Sequence, residues 1–298
     1  MTGASNLRAG EGRAPAWRSW LLLLPALCLL ALFAVGLLSA AAQSLGYQPY
    51  VGSTHLSLQA YRTLFADRGF QHSLVFTART AAIATVASTA LGVGCGLLLH
   101  GCSGGRRVGR FLFSLNLAVP HLVGALAISL LLAQSGLLSR VTHAIGLTGG
   151  VQTFPQLTGD GFGWGIVAEY VWKETPFIGV VTLAALGAGI DELERAARGL
   201  GAGALQRLRH VTLPMIAAPV TAASVLVLAY AFASYEVPLL LGRPYPTTLS
   251  VVAYQAYTDT DLLARPQAMA ACVVLAVASS VFVLAYLGLV RRLSAASL

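Results

Sequence analysis

Residues 191–214 read DELERAARGLGAGALQRLRHVTLP, a polar stretch that separates two apolar parts of the chain. Its carboxylates come first and its arginines come late, which is the order that the dipole of a helix favours. Gly201 and Gly203 interrupt the middle, so the sequence predicts two short helices joined by a turn. The apolar residues of the second helix recur at helical spacing and predict one apolar face: Leu205, Leu208 and Val211.

The composition around this stretch is that of a membrane protein. Of the 298 residues, 56% are hydrophobic and only 10% are charged, whereas soluble proteins carry about 25% charged residues. Side chains that face lipid need no charge, so contact with membrane lipid explains both values. The net charge of +8 does not indicate a nucleic-acid partner, because the arginines lie between apolar runs, where they act as topology signals.

Charge-free intervals predict an all-α integral membrane protein with about six transmembrane helices, since a spanning helix needs roughly 20 mostly apolar residues. The first span could instead be a cleaved signal peptide, but its apolar run is longer than the roughly 7–15 residues of such a peptide. An uncleaved helix is therefore favoured. The predicted segments are a tail at 1–18, spans at 19–42, 73–99, 111–134, 163–189, 213–238 and 267–290, and a loop at 190–212.

The arginines predict the orientation of these spans. Six spans place both termini on one side, together with 100–110 and 190–212, and these segments carry twelve arginines. The opposite loops, at roughly 43–72, 135–162 and 241–266, carry five. Because lysine and arginine accumulate in cytoplasmic loops, we expect cytoplasmic termini and a cytoplasmic loop at 190–212.

This loop resembles the EAA loop of permease subunits in type I ATP-binding-cassette (ABC) importers, whose pattern is E-A-A-x-x-x-G, nine residues, then I-x-L-P. Val211 replaces the usual isoleucine. The first position of the pattern holds Arg195, and Glu194 stands one residue earlier, which puts in doubt any contact that the family makes from that position. The matching residues are Ala196, Ala197, Gly201, Leu213 and Pro214.

The resemblance implies a type I importer permease fold over residues 58–290, in a bacterial-type inner membrane. It also implies that the loop is a coupling helix that sits in a cleft of a cytoplasmic ATPase. The partners would be two ATPase subunits, a second permease subunit that is a copy or a relative of this one, and an extracytoplasmic solute-binding protein. The alternative for the loop is an amphipathic helix that lies on lipid.

The cargo is less constrained by the pattern than the fold. The sequence at Leu200-Gly201-Ala202 and at 236–242, EVPLLLG, most resembles that of the polyamine, ferric-iron and phosphonate branch of these permeases. That resemblance favours a polyamine-like cargo.

No motif for ATP hydrolysis is present in the sequence. A P-loop needs a lysine after its glycines, and the only lysine is Lys173, between Trp172 and Glu174. The histidines show no metal-ligand spacing, and there is no serine elbow. We therefore expect neither an enzyme nor a metal or cofactor site on this chain, with ATP used by a partner subunit.

Ionisable groups inside a span are costly, so they usually pair or face a cavity. Glu169 and Lys173 lie four residues apart and predict an ion pair on span four, while Glu174 points to a different face. Glu236 lies near the outer end of span five. These four residues could line a translocation pathway, with the carboxylates serving a cationic cargo, or they could be interhelical and interfacial charges near the outer surface.

Glycine and proline predict where helices approach and where they bend. Gly92 and Gly96 give the G-x-x-x-G spacing that lets two helices approach closely. Pro214 is expected to open span five, where its missing N–H costs nothing. Three further prolines are expected to kink or end spans three and five: Pro120, Pro219 and Pro238.

Two other classes of membrane protein compete with the importer permease. A secondary transporter or channel driven by an ion gradient would need polar breaks in the middle of the membrane, whereas the charges here are predicted near its edges. A membrane enzyme or signalling subunit would need a catalytic or large soluble domain, and the sequence shows neither.

Overall fold

The computed structural model describes residues 16–101, 105–187 and 189–296. Within these ranges the chain is almost entirely helical, and the one β-bridge joins Gln48 to Ser53. The helices are α1 Ala16–Ser44, α2 Gln59–Ala66, α3 Arg68–Gly101, α4 Gly105–Leu117, α5 His121–Leu132, α6 Leu137–Ala144, α7 Trp164–Leu186, α8 Ile190–Gly199, α9 Ala204–Arg207, α10 Leu213–Ala233, α11 Glu236–Leu241, α12 Leu249–Thr258 and α13 Arg265–Ala296.

Five segments of the described chain are long and apolar enough to cross a membrane: Leu23–Ser44, Arg68–Gly101, His121–Ala144, Ala204–Ala233 and Arg265–Val290. A sixth span is formed if α7 is counted with α8, which follows it after a bend of 61°. The structure therefore confirms an all-α membrane protein with five to six spans. The short helices α2, α6 and α12 lie in segments that the sequence predicts as outer loops.

Helix α3 packs along α7 at the centre of the bundle, and α10 packs against both of them. The closest approach lies at the two glycines of the G-x-x-x-G spacing. A methyl group on Gly92 would lie 2.6 Å from Cβ of Ile178, and one on Gly96 would lie 2.6 Å from Cγ2 of Thr182. The predicted close packing at this spacing is confirmed, and its partner is α7.

Helix α1 lies at the edge of the bundle, where it packs on α13. Its large apolar side chains point outward: Leu29 is 69% exposed and Leu32 is 72% exposed. Such a face is stable only when an apolar solvent covers it, so α1 is a lipid-facing helix.

The third span differs from the prediction of one helix over 111–134. Helix α4 ends at Leu117 and α5 begins at His121, with Pro120 between them at φ −62° and ψ 146°. Proline has no N–H to donate and its ring restricts the residue before it. The prediction that Pro120 kinks or ends a helix is therefore confirmed, and the interruption is a complete break between α4 and α5.

The fifth span also differs at both ends. Its helix stops at Ala233, not at 238, and α11 starts after an extended Ser234 and contains Pro238. At the other end Pro214 lies in the first turn of α10, as the sequence predicts, but the helical run continues back to Ala204, before the predicted start at 213. The five residues before α10, Leu208–Thr212, form a π-helical turn. Such a turn accommodates a backbone that lacks one N–H.

Candidate functional sites

The first candidate site is the helix–turn–helix formed by α8 and α9. Gly201 lies in the turn at φ +85°, a conformation that glycine adopts without the steric cost of a Cβ. Its N–H donates to the carbonyl oxygen of Arg198 at 3.0 Å, which closes the end of α8. The predicted pair of short helices is confirmed, and Gly201 is the residue that allows the turn.

The surface of this helix–turn–helix is apolar where the sequence is otherwise polar. Leu200 is 89% exposed and Leu205 is 76% exposed. Both leucines lie on the outer side of the turn that contains Gly201 and are candidates for contact with another molecule. A groove of about 450 Å³ runs beside them, and its lining includes Ala197, Gly201, Gln206, Arg207, His210 and Val211.

Glu194 links α8 to the base of α10. Thr212 Oγ1 donates a hydrogen bond of 2.7 Å to Glu194 Oε1, and Thr212 is only 2% exposed. Arg195, at the first position of the sequence pattern, is exposed and its side chain bonds to the backbone of Asp191. The one-residue displacement of the glutamate thus leaves a glutamate in contact with the fifth span.

The other predicted residues of the loop divide into two groups. Ala197 and Val211 are half-buried and line the groove together with Gly201. Ala196, Leu213 and Pro214 are exposed and do not line it. The structure therefore brings together Ala197, Gly201 and Val211, with Glu194 on the side of α8 that faces the π-helical turn.

The second candidate site lies at the break in the third span. His121, the first residue of α5, lies between two carboxylates of α7. Its Nδ1 is 3.2 Å from Oε1 of Glu169, and its Nε2 is 3.6 Å from Oε1 of Glu174. Glu169 is fully buried and Glu174 is 7% exposed. His121 was not among the predicted site residues, although a histidine that follows a proline inside an apolar run was a usable signal.

Lys173 does not pair with Glu169 as the sequence predicts. Its ammonium donates instead to the carbonyl oxygen of Asn116, in the last turn of α4, and no nitrogen–oxygen distance of 4.0 Å or less joins it to a carboxylate of the described residues. The break in the span leaves carbonyl groups at the end of α4 without helical partners. Lys173 satisfies one of them, which explains why the predicted ion pair was wrong.

The charges of α7 match the dipoles of the two half-helices. Lys173 lies at the C-terminal end of α4, and the carboxylates of Glu169 and Glu174 flank the first residue of α5. A cation at the C-terminus of a helix and an anion at the N-terminus are both stabilising. Three ionisable side chains of α7 therefore stabilise the two helix ends that meet at the break.

This cluster lies partway along α7. Lys173 is nine residues from Trp164, the first residue of α7, or about 14 Å at 1.5 Å per residue. The whole of α7 is about 34 Å long by the same measure. Whether these residues line a translocation pathway or are interhelical and interfacial charges stays a prediction.

A cavity of about 420 Å³ opens at the break. The ring of Tyr230 packs on His121, with 4.4 Å between ring centroids. Glu169 does not line the cavity, and Glu236 is exposed at the start of α11, away from it. The structure therefore brings together two of the four predicted pathway residues. The lining includes residues 117–121, Lys173, Glu174, Phe177, Val227 and Tyr230.

The cluster does not have the geometry of a metal site. The two carboxylates contact different nitrogen atoms of His121, so their oxygens do not converge on one point. Among the residues that the structure describes, no group of three or more histidine, cysteine, aspartate or glutamate residues is placed to hold a metal ion.

Comparison with known proteins places these two sites in context. Residues 88–295 match the family described as "Binding-protein-dependent transport system inner membrane component". This range contains both candidate sites, the helices α4 to α12 and all but the last residue of α13.

Three relatives are identical to this chain at 26–31% of the aligned positions. The probable starch degradation products permease AmyD of Thermoanaerobacterium thermosulfurigenes is 27% identical over 75% of this chain and 76% of its own length. The trehalose/maltose permease MalF of Thermococcus litoralis is 26% identical over 72% of each chain. A probable molybdenum ABC transporter permease of Haloferax volcanii is 31% identical over 64% of this chain and 68% of its own length.

A solved structure shares the fold. The crystal structure of a bacterial ABC transporter involved in the import of the acidic polysaccharide alginate has a chain that superimposes with a TM-score of 0.75. The alignment covers 93% of this chain and 96% of that one, at 21% identity. The helix order described above is therefore that of an importer permease.

Proposed function

This chain belongs to the family of binding-protein-dependent transport system inner membrane components. We propose that, as the permease subunit of an ABC importer, it couples a separate ATPase to the movement of a solute. The helix–turn–helix α8–α9 docks against a cytoplasmic ATPase subunit. The observation that carries this proposal is the exposed apolar surface of Leu200 and Leu205, joined to the fifth span through Glu194 and Thr212.

The resemblance to importer permeases supports the remaining subunits of this proposal. Two ATPase subunits hydrolyse ATP, since Lys173, the only lysine of the chain, lies in α7 and serves no P-loop. A second permease subunit, identical or related, completes the pathway, and an extracytoplasmic solute-binding protein delivers the cargo. ATP-driven closure of the ATPase pair moves α8–α9, and the attached spans then switch the cavity from one side to the other.

Two substitutions test the docking surface. Gly201→Pro removes the conformation of the turn, and Ala197→Asp places a charge in the groove. We expect both variants to insert into the membrane but to lose uptake and to co-purify poorly with the ATPase. Uptake and co-purification at the level of the unchanged protein would contradict the docking proposal.

The orientation is tested by cysteine accessibility in a cysteine-free background. We propose that both termini and α8–α9 are cytoplasmic, so Gly203→Cys should react with a membrane-impermeant maleimide only after the cells are opened. Gln152→Cys, an exposed position in a predicted outer loop, should react in intact cells. Labelling of Gly203→Cys in intact cells would show that a cytoplasmic ATPase subunit cannot bind at this site.

We propose a carbohydrate cargo in place of the polyamine-like cargo that the sequence favoured. Two relatives carry names for starch degradation products and for trehalose and maltose, although a third is named for molybdenum. The carboxylates in the span support this choice. Glu169 already contacts His121, and Glu174 shares the cavity with Lys173. The ammonium of Lys173 would repel a polycation in this cavity.

The competing class is a transporter driven by an ion gradient, and the break in the third span has the form that such a protein would need. Reconstitution with the ATPase and solute-binding protein separates the two. We expect uptake into liposomes to require ATP on the side of the membrane where the ATPase lies. We also expect uptake to continue when ion gradients are dissipated. Uptake by the permease alone under an ion gradient would support the competing class.

A further inference from the structure

We propose that the cavity at the break in the third span is a subsite for a neutral sugar ring. In this subsite Lys173 donates to hydroxyl groups of the cargo and Glu174 accepts from them. His121 is a positioning residue whose Nε2 faces Glu174, and Glu169 orients the ring of His121 through its contact with Nδ1. This inference rests on the proposed transport function and names the residues that recognise the cargo.

Lys173 has donors to spare. It is 4% exposed and lines the cavity, and one of its three N–H groups is used by the carbonyl oxygen of Asn116. The two remaining N–H groups belong to a buried cation at the wall of a cavity. Buried polar groups are normally hydrogen-bonded, so a ligand hydroxyl is the partner that this position suits.

Glu174 has acceptors to spare. Its contact with Nε2 of His121 is 3.6 Å, which is longer than a hydrogen bond. An ionised carboxylate can accept about four hydrogen bonds, and this one is more than nine-tenths buried and lines the cavity. One free donor and one free acceptor on adjacent residues of α7 match the adjacent hydroxyl groups of a sugar, each of which both donates and accepts.

Aromatic rings supply the apolar part of the subsite. Phe177 and Tyr230 line the same cavity, and one face of Tyr230 is covered by His121. A sugar ring has C–H faces that can pack on an aromatic side chain while its hydroxyl groups bond at the rim. The volume of about 420 Å³ is within the range of about 300–1,000 Å³ that small-molecule pockets occupy.

The charges of the lining favour a neutral cargo. One ammonium and one carboxylate face the cavity, so neither a polycation nor a polyanion gains a net attraction there. A neutral molecule with many hydroxyl groups uses both. The fully buried Glu169 contacts the other nitrogen of His121, and α5 packs tightly over it, because a methyl group on Gly124 would lie 3.0 Å from its carboxylate oxygen.

The test uses the full complex in liposomes: the permease pair, the ATPase subunits and the solute-binding protein. Initial uptake rates are measured with maltose, trehalose and maltotriose, and with spermidine and molybdate as the other cargo classes. We expect ATP-driven uptake of at least one sugar. In Glu174→Gln and Lys173→Met we expect KM for that sugar to rise about tenfold or more, the loss expected for buried charged hydrogen bonds.

Matched variants keep the test specific. Asp259→Asn removes a carboxylate from an exposed outer position and should leave KM unchanged. Glu174→Asp and Lys173→Arg keep the charge but shift its position, so they should assemble even where the first pair does not, and should also raise KM. For the positioning role, His121→Asn should raise KM with little change in kcat, and Glu169→Asp should retain more of the affinity than Glu169→Leu.

The outcomes separate this inference from the proposed function. Unchanged sugar KM in assembled Glu174 and Lys173 variants would overturn the subsite. ATP-driven uptake of spermidine or molybdate but of no sugar would overturn the carbohydrate assignment and leave the transport function standing. Absence of ATP-driven uptake for every probe would contradict the proposed function, and the subsite would fall with it.

Discussion

Thr212, in the helical run of the fifth span, donates a hydrogen bond of 2.7 Å to Glu194 of α8. Thr212 lies in the same helical run as Tyr230 of the membrane cavity, and the two residues are 18 positions apart, or about 27 Å at 1.5 Å per residue. A displacement of α8 therefore reaches the cavity through one continuous element. This connection gives a physical route from α8 to the cavity.

Thr212→Val should uncouple the two sites. Valine has the shape of threonine but no hydroxyl, so the hydrogen bond that Thr212 donates to the carboxylate of Glu194 is lost. A hydrogen bond to a charged acceptor is worth about 1.5–3 kcal/mol. We expect the complex to assemble and to hydrolyse ATP, with fewer cargo molecules moved per ATP. The measurement is uptake and phosphate release in the same liposomes.

Two controls accompany that variant. Thr212→Ser keeps the hydroxyl and should retain coupling, and Glu194→Gln keeps an oxygen acceptor and should show an intermediate loss. A Thr212→Val protein with the normal ratio of transport to hydrolysis would show that this bond does not carry the movement.

Gly201→Ala should weaken the turn, whereas Gly203→Ala should not. Gly201 has φ +85°, where an L-residue costs about 1–2 kcal/mol, while Gly203 has φ −69° and ψ 166°, which any residue adopts. Nothing lies within 4 Å of a methyl group on Gly201, so the effect is one of backbone conformation and not of space. We expect weaker ATPase co-purification for the first variant only. Equal behaviour of the two would contradict the role of the turn.

Gly92→Ala should destabilise the bundle, with Gly94→Ala as its matched control. The added methyl group would lie 2.6 Å from Cβ of Ile178 at the first position, and it would meet nothing within 4 Å at the second. Overpacking of this kind costs about 1–3 kcal/mol. We expect a lower apparent melting temperature in detergent for Gly92→Ala alone, measured by the loss of the monodisperse peak on size exclusion.

The contrast between these two neighbouring glycines is the decisive comparison. A fall in melting temperature for Gly94→Ala as large as that for Gly92→Ala would show that α3 responds to helix propensity and not to its contact with α7.

Asp160→Ala should loosen the start of α7. The carboxylate of Asp160 accepts backbone N–H groups of Phe162, Gly163 and Trp164 at 2.7–2.9 Å. Removal of such a cap costs about 0.5–2 kcal/mol. We expect a lower apparent melting temperature, with a smaller loss in Asp160→Asn because the amide oxygen still accepts. Equal stability of the alanine variant and the unchanged protein would contradict this assignment.

Arg79 secures the same loop from α3, and its variant is independent of the cap. Its guanidinium donates to the carbonyl oxygen of Phe162 at 2.8 Å and lies over the ring of that residue, 4.4 Å from its centroid. Arg79→Lys keeps the charge but not the planar stacking group. We expect lower stability for Arg79→Lys and a larger loss for Arg79→Ala in the same melting measurement.

The sequence alone determined the features that depend on local pattern. Apolar runs fixed the membrane environment and the approximate spans, since each span is a contiguous stretch of the chain. Gly201 predicted the turn between α8 and α9, because a left-handed backbone favours one residue type. Gly92 and Gly96 predicted a close helix contact, although the spacing did not say which helix would approach.

Only the tertiary structure decided which distant groups meet. His121 and Glu169 are 48 positions apart, and Thr212 and Glu194 are 18 apart, so no periodicity relates them. The predicted pairing of Glu169 with Lys173 was based on spacing within one helix. In the structure Lys173 bonds instead to a carbonyl oxygen at the end of α4, which lacks an α-helical partner because the helix breaks before Pro120. Proline made a bend predictable, but which charges stabilise the break depends on how α7 packs across it.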